Sequence, residues 1–276
     1  MTRPPELADR AALLRNRTRA RRAPVTFLHE LAIAELKERL AEVNRSFTAP
    51  AVVTGAAETW AGAVPGARIV ADADTLDLEE GAHDLIIHGL CMHWAGDPVG
   101  QLVQCRRALR PDGLFIGVMF GGRTLAELRV ALAEAESRLS GGLSPRVLPF
   151  GELRDLGALL QRAGFALPVA DSDTRTVTYP DLRALMHDLR GMGEANALAA
   201  RERRPAPRRM FDLAESLYQR HFARPDGRLP ARFEMVWLTG WAPADSQPRP
   251  LRPGSASARL ADALGARETP LSDRED

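Results

Sequence analysis

Apolar residues at Leu28, Leu31, Ile33, Leu36, Leu40 and Val43 recur with helical spacing, which predicts an amphipathic helix over residues 26–43 with Thr26 as its N-cap. The run Ala51-Val52-Val53 then leads into a small turn at Thr54-Gly55-Ala56, the pattern of a buried parallel strand passing to a helix. A short helical piece at 56–63 follows. "RIVA" at 68–71 and "HDLIIHGL" at 83–90 read as the second and third strands. Residues 97–109 form an amphipathic helix opened by Asp97 and Pro98, a cap followed by a favoured first-turn residue. A turn and a fully apolar strand occupy 110–120, and helices are predicted at 123–139 and 150–163. "GFALPVADSDTRTVTYP" reads as strands or a hairpin; helices at 181–190 and 207–223 and a long strand at 231–243 complete the pattern.

Strands alternating with helices predict an α/β fold, a mostly parallel sheet covered on both faces. The expected organisation is an N-terminal arm and helix at 1–48, the main domain at 49–243 with a helical cap at 181–223, and a tail at 244–276. That tail is rich in Pro, Arg, Ser and Ala and is expected to be largely disordered.

Composition narrows the function classes. Across 276 residues the net charge is +1, so bulk electrostatics gives no argument for nucleic acid or an anionic membrane. Two cysteines, Cys91 and Cys105, supply neither a disulfide framework nor a metal cluster, and read as small apolar residues. No apolar run is long enough to span a membrane, so a cytoplasmic protein is expected, or a mitochondrial matrix protein in a eukaryote. The arginines from Arg15 to Arg22 resemble a transit peptide, but Glu6 and Asp9 precede them. They and Arg204–Arg209 read as solvated faces, with docking to an acidic partner as the alternative.

Candidate site residues cluster at strand ends. Asp72, Ala73 and Asp74 follow the second strand, where open α/β sheets place ligands, although the same acids fit a solvated loop. His88 ends the third strand and either faces that crevice or is a satisfied core histidine. His93 and Trp94 combine a group that works as acid, base or donor near neutral pH with a large flat surface. The competing reading makes Trp94 a staple for its loop. Gly121 and Gly122, followed by Arg123, allow close approach of a substrate backbone or simply form a turn.

Several blocks carry a resemblance: "GLCMHWAGDP", "ALRPDGLFIGVMFGGRTLAELR", "GGLSPRVLPF", "DLGALLQRAGF", "YPDLRALMHDLRGMGEAN" and "GWAPADSQPRPLRPGSA". In this order they resemble complex I assembly factors built on the class I S-adenosylmethionine (SAM) methyltransferase fold, and more distantly the malonyl-carrier-protein methyltransferase of biotin synthesis. The resemblance implies a Rossmann-like sheet, SAM as cofactor and arginine hydroxylation of an iron–sulfur subunit of complex I. It implies His93 and Trp94 as catalytic residues, Gly55, Asp72, Ala73 and His88 as cofactor contacts, and Gly121, Gly122 and Arg123 at the substrate.

The departures point the other way. The family turn is close to Leu-Asp-Leu-Gly-Cys-Gly-x-Gly, whereas this chain has Val52-Val53-Thr54-Gly55-Ala56-Ala57-Glu58-Thr59. Residues 56–66 leave room for one crossover helix, so one βα unit, with its ribose-binding acid, is expected to be missing. "RIVADAD" then corresponds to the family's third strand, with Asp72 at the adenine edge. Weak or absent SAM binding is expected. Three readings remain: an assembly factor of hydroxylase type, a non-catalytic protein-binding member, and a methyltransferase for a small molecule or carrier protein. In the first two, the expected partner is a complex I subunit or another assembly factor.

Overall fold

The structure, a computed structural model, describes residues 6–248 and residue 265. Two units divide at Ala244–Asp245. Most of the tail expectation lies outside the described residues.

The first unit is built on six strands: β1 (Pro50–Thr54), β2 (Arg68–Ala71), β3 (His83–Gly89), β4 (Leu109–Phe120), β5 (Ala166–Tyr179) and β6 (Leu229–Trp241). Their order is β2-β1-β3-β4-β6-β5. β2, β1, β3 and β4 run parallel, and β6 and β5 add antiparallel pairs at the far edge. Between β1 and β2 only α3 (Ala57–Trp60) is helical, so β2 pairs directly with β1 from Ala51↔Arg68 to Thr54↔Ala71. β1 is buried at every position and β3 at nearly every one, as expected for parallel strands covered on both faces.

Covering helices are α1 (Arg10–Ala20), α2 (Phe27–Glu42), α4 (Pro98–Ala108), α5 (Ala126–Ser140), α6 (Leu153–Arg162), α7 (Leu182–Gly191) and α8 (Arg208–Phe222). Asp97 caps α4 by accepting from the Gly100 amide at 2.8 Å, with Pro98 in the first turn. Thr26 stands at the start of α2, but its hydroxyl donates to Glu30 at 2.6 Å and makes no cap bond. The hairpin alternative at 166–179 gives way to one long strand, because its second half ladders continuously onto β6 from Val169↔Thr239 to Tyr179↔Leu229.

Two apolar layers result. Leu28, Ala32 and Leu36 of α2, with Trp60, α5, α7 and α8, cover one face of the sheet. α4 and α6 cover the other through Leu102, Cys105, Leu156 and Leu160. Trp60 is wholly buried, and its Nε1 donates to His29 Nδ1 at 2.9 Å, joining α3 to α2. Its ring lies against the end of β3, where a Cβ on Gly89 would stand 2.6 Å from the indole Cε2. Gly89→Ala therefore overpacks a rigid wall and should cost about 1–3 kcal/mol in a urea melt, without changing the m-value.

Candidate functional site

The crevice at the carboxyl ends of β1, β2 and β3 holds part of the chain's own N-terminal helix. Arg10, Leu13 and Arg17 lie at i, i+3 and i+7, on one face of α1. Arg17 Nη1 donates to both carboxylate oxygens of Asp72, at 2.9 and 2.8 Å. Arg10 Nη2 adds a 2.8 Å bond to Oδ1 and a second contact to the Asp72 carbonyl. A Cβ on Gly55 would fall inside the Arg17 guanidinium, so the glycine of the first turn is packed against a side chain of α1. The solvated-face reading of Arg15–Arg22 therefore fails at Arg17, whose side chain is only 12% exposed.

Burial alone would raise the Asp72 carboxyl; the Arg17 charge and the Arg10 hydrogen bond outweigh it and hold the group below the usual carboxylate range. α1 is fixed elsewhere too. Asp9 caps it by accepting from Ala12 at 2.9 Å and pairs with Arg201 at 2.8 Å. The Asn16 side chain donates to the Ala195 carbonyl at 2.9 Å. Leu13 and Ala12 join Trp94, Leu148, Ala197 and Leu198 in a small apolar cluster.

His88 is wholly buried, and burial pushes its pKa down to about 4, so it is neutral at pH 7. Its Nε2 meets Gln101 Oε1 at 3.0 Å, and Gln101 in turn donates to the Ala73 carbonyl at 2.8 Å. His88 and Ala73 thus belong to one hydrogen-bonded wall behind the crevice. Cys91 lies beside His88 Nδ1 at 3.4 Å, and burial raises its thiol well above the ordinary value, which leaves it without thiolate character.

His93 and Trp94 occupy a short 3-10 turn after β3 and converge on one carboxylate, Glu194, in the loop after α7. Trp94 Nε1 donates to Glu194 Oε2 at 2.7 Å, and His93 Nε2 stands 3.3 Å from the same oxygen. Burial opposes ionisation of Glu194, but His93, Arg17 and the Trp94 bond together lower its pKa. Trp94 and Glu194 form one wall of a cavity of about 230 Å³ that Phe120, Phe150, Phe211 and Phe233 also line. Arg146, which also lines the cavity, is held by Glu136; Arg146 and the Ser144 hydroxyl and amide keep that carboxyl ionised, with its pKa down to about 2.

Gly121, Gly122 and Arg123 stand outside that lining. A Cβ on Gly121 would meet Val236 Cγ2 at 2.6 Å, one on Gly122 would meet the Glu152 carboxylate, and the Arg123 amide donates to Glu234 at 2.8 Å. Packing against β6 and Glu152 accounts for both glycines. Sequence reasoning gave no role to Glu194 or to Arg10 and Arg17. Glu194 sits inside the quoted block "RGMGEAN", but nothing in its spacing shows that it meets residues a hundred positions away.

Residues 30–117 match the methyltransferase domain family. The mitochondrial arginine-hydroxylase NDUFAF5 of Danio rerio is 40% identical over 72% of this chain and 62% of its own length. Its Homo sapiens counterpart is 40% identical over 70% and 56%. A malonyl-[acyl-carrier protein] O-methyltransferase of Laribacter hongkongensis is 37% identical over 68% and 61%. This chain is a homologue of the NDUFAF5 proteins. It spans roughly three fifths of the length of these relatives. The matched residues 30–117 run from α2 into β4 and contain β1, β2 and β3, so the parallel part of the sheet is the methyltransferase domain.

The crevice is closed by the chain's own side chains. Arg17 fills the cradle at Gly55, Asp72 is held by two guanidiniums, and the space left beside Gly55 and Ala56 is about 60 Å³. Small-molecule pockets run to about 300–1,000 Å³.

Two outcomes follow from this geometry. The lowered Asp72 pKa contributes stability that is complete above the unfolded value of about 3.9 and is lost as pH falls through the folded value. The loss of stability as pH falls below about 4 should therefore become shallower in Asp72→Asn than in the unmodified chain. Trp94, 3% exposed, should cost about 3–5 kcal/mol as Trp94→Ala in a chemical melt. Trp94→Phe, which keeps most of the packing and loses the bond to Glu194, should cost about 1.5–3 kcal/mol.

Proposed function

We propose that this chain is a methyltransferase-like assembly factor for respiratory complex I that acts by binding protein and does not use SAM. The single observation that carries this reading is Arg17, seated against Gly55 and paired with Asp72 where a methyltransferase would hold its cofactor. Methyl transfer needs a sulfonium held in line with its acceptor, and the crevice has no room to hold one. Homology to arginine hydroxylases named NDUFAF5 supports the assembly role. The cavity beside the crevice supports the binding role: the Trp94–Glu194 cavity is open while the crevice is filled. No helix among the described residues is long and apolar enough to cross a membrane, which fits a factor meeting its target in the cytoplasm, or in the matrix of a mitochondrion.

Calorimetric titration with SAM should give no binding at ligand concentrations up to about 1 mM, a limit equivalent to about −4 kcal/mol. Deletion of the gene should slow complex I assembly, and the tagged chain should recover an iron–sulfur subunit of complex I or its assembly partner. Micromolar SAM binding, or normal complex I levels in the deletion strain, would overturn the proposal.

A further inference from the structure

The cavity beside Trp94 does not end at its aromatic wall. Met186, Arg190 and Phe211 line both it and a groove of about 440 Å³ between α7 and α8, so the two adjoin. The groove also carries Arg183, His187 and Arg208, with Asp212 as its single acidic residue against three arginines. Arg183, Arg190 and Arg208 are exposed, and among the described residues none of the three has an ion-pair partner. The arginines with buried or half-buried side chains are paired instead: Arg39 with Asp171, Arg146 with Glu136, Arg201 with Asp9, Arg10 and Arg17 with Asp72. Three unpaired guanidiniums beside an apolar opening form a positive rim around a hydrophobic hole, the arrangement that selects an anionic surface with one buried anchor.

The interior selects the anchor. Its walls are aromatic; Arg146 in the lining is already neutralised by Glu136, and the Glu194 carboxylate has its Oε2 engaged by Trp94 and His93. Glu194 Oε1 has no hydrogen-bond partner among the described residues. A side chain with a flat apolar body and a donor tip, a tryptophan N–H or a tyrosine O–H, satisfies such a wall. A cationic side chain would have to pass the Arg190 rim and compete with Arg17 for the field of Glu194.

We infer that the cavity and groove together bind an acidic segment of a partner protein that inserts one tryptophan or tyrosine beside Glu194 and lays its carboxylates along Arg183, Arg190 and Arg208. This rests on the protein-binding reading above and assigns the surface that serves it. Electrostatic attraction at an exposed rim is screened by salt, so the affinity should fall as ionic strength rises.

The test uses the full chain and fluorescein-labelled synthetic peptides followed by polarisation. One peptide carries a central tryptophan flanked by two glutamates on each side, a second replaces the glutamates by lysines, a third replaces the tryptophan by alanine, and a fourth replaces it by arginine. The acidic tryptophan peptide should bind at least tenfold tighter than the lysine and alanine peptides. The triple variant Arg183→Ser/Arg190→Ser/Arg208→Ser, exposed positions whose loss leaves the melt unchanged, should weaken it at least tenfold and flatten its salt dependence. Equal binding of the lysine peptide, an unaltered affinity in the triple variant, tighter binding of the arginine peptide, or no binding of any peptide each overturns the inference. None of these results touches SAM binding or recovery of the complex I subunit, so the protein-binding reading stands or falls separately.

Discussion

Arg17 and Asp72 meet in the middle of the sheet's carboxyl edge, and much of the molecule is arranged around that contact. A carboxylate buried after β2 is costly alone, and two guanidiniums from α1 make it tolerable. Replacing such a pair by apolar side chains is often neutral in stability, so its consequence lies in placement. With Arg10 and Arg17 fixed, Leu13 must point at Trp94 and Leu148, and the Asn16 amide must reach the loop that carries Glu194. One ionic contact thereby sets the register of α1 against both walls of the crevice.

The same contact links crevice and cavity electrostatically. Arg10 and Arg17 are two positive charges; Asp72 and Glu194 are two negative ones, and each carboxylate is stabilised in part by Arg17. These four charges sum to zero without any bound ligand. In a methyltransferase the cofactor brings its own positive sulfonium to this edge of the sheet. Here a guanidinium of the chain itself supplies positive charge at the same edge, packed against Gly55 of a turn that carries Ala57 and Thr59.

What was legible in the sequence follows from where the physics is local. β1, β2, β3 and α4 were readable because apolar runs, Asp97 and Pro98 act within a few residues. The missing crossover was readable as a count, since 56–66 can span only one short helix, and α3 with a direct β1–β2 pairing is the result. The long β5 was not, because its partner is β6, some sixty residues later, and its own pattern is mostly exposed. Arg17 was illegible for the same reason in sharper form. An arginine among arginines reads as solvated, and only a carboxylate 55 positions away makes it buried. Glu194 likewise acquires meaning from Trp94 and His93 across a hundred residues.

The pattern of what is filled and what is open gives the functional argument its direction. A fold that merely decayed would be expected to lose packing at the vacated cofactor site, because a void forfeits contacts on every side. Here the vacated space is closed by a capped helix whose arginines sit at the spacing needed to reach Asp72 together. The neighbouring cavity, by contrast, keeps aromatic walls and an Arg146 held by Glu136 and remains open. Leaving that cavity open forfeits apolar contacts that a larger side chain at Leu125 or Val147 would recover. An opening that the core itself does not need, beside a crevice closed with its own side chains, is the form that the proposed protein-binding role requires.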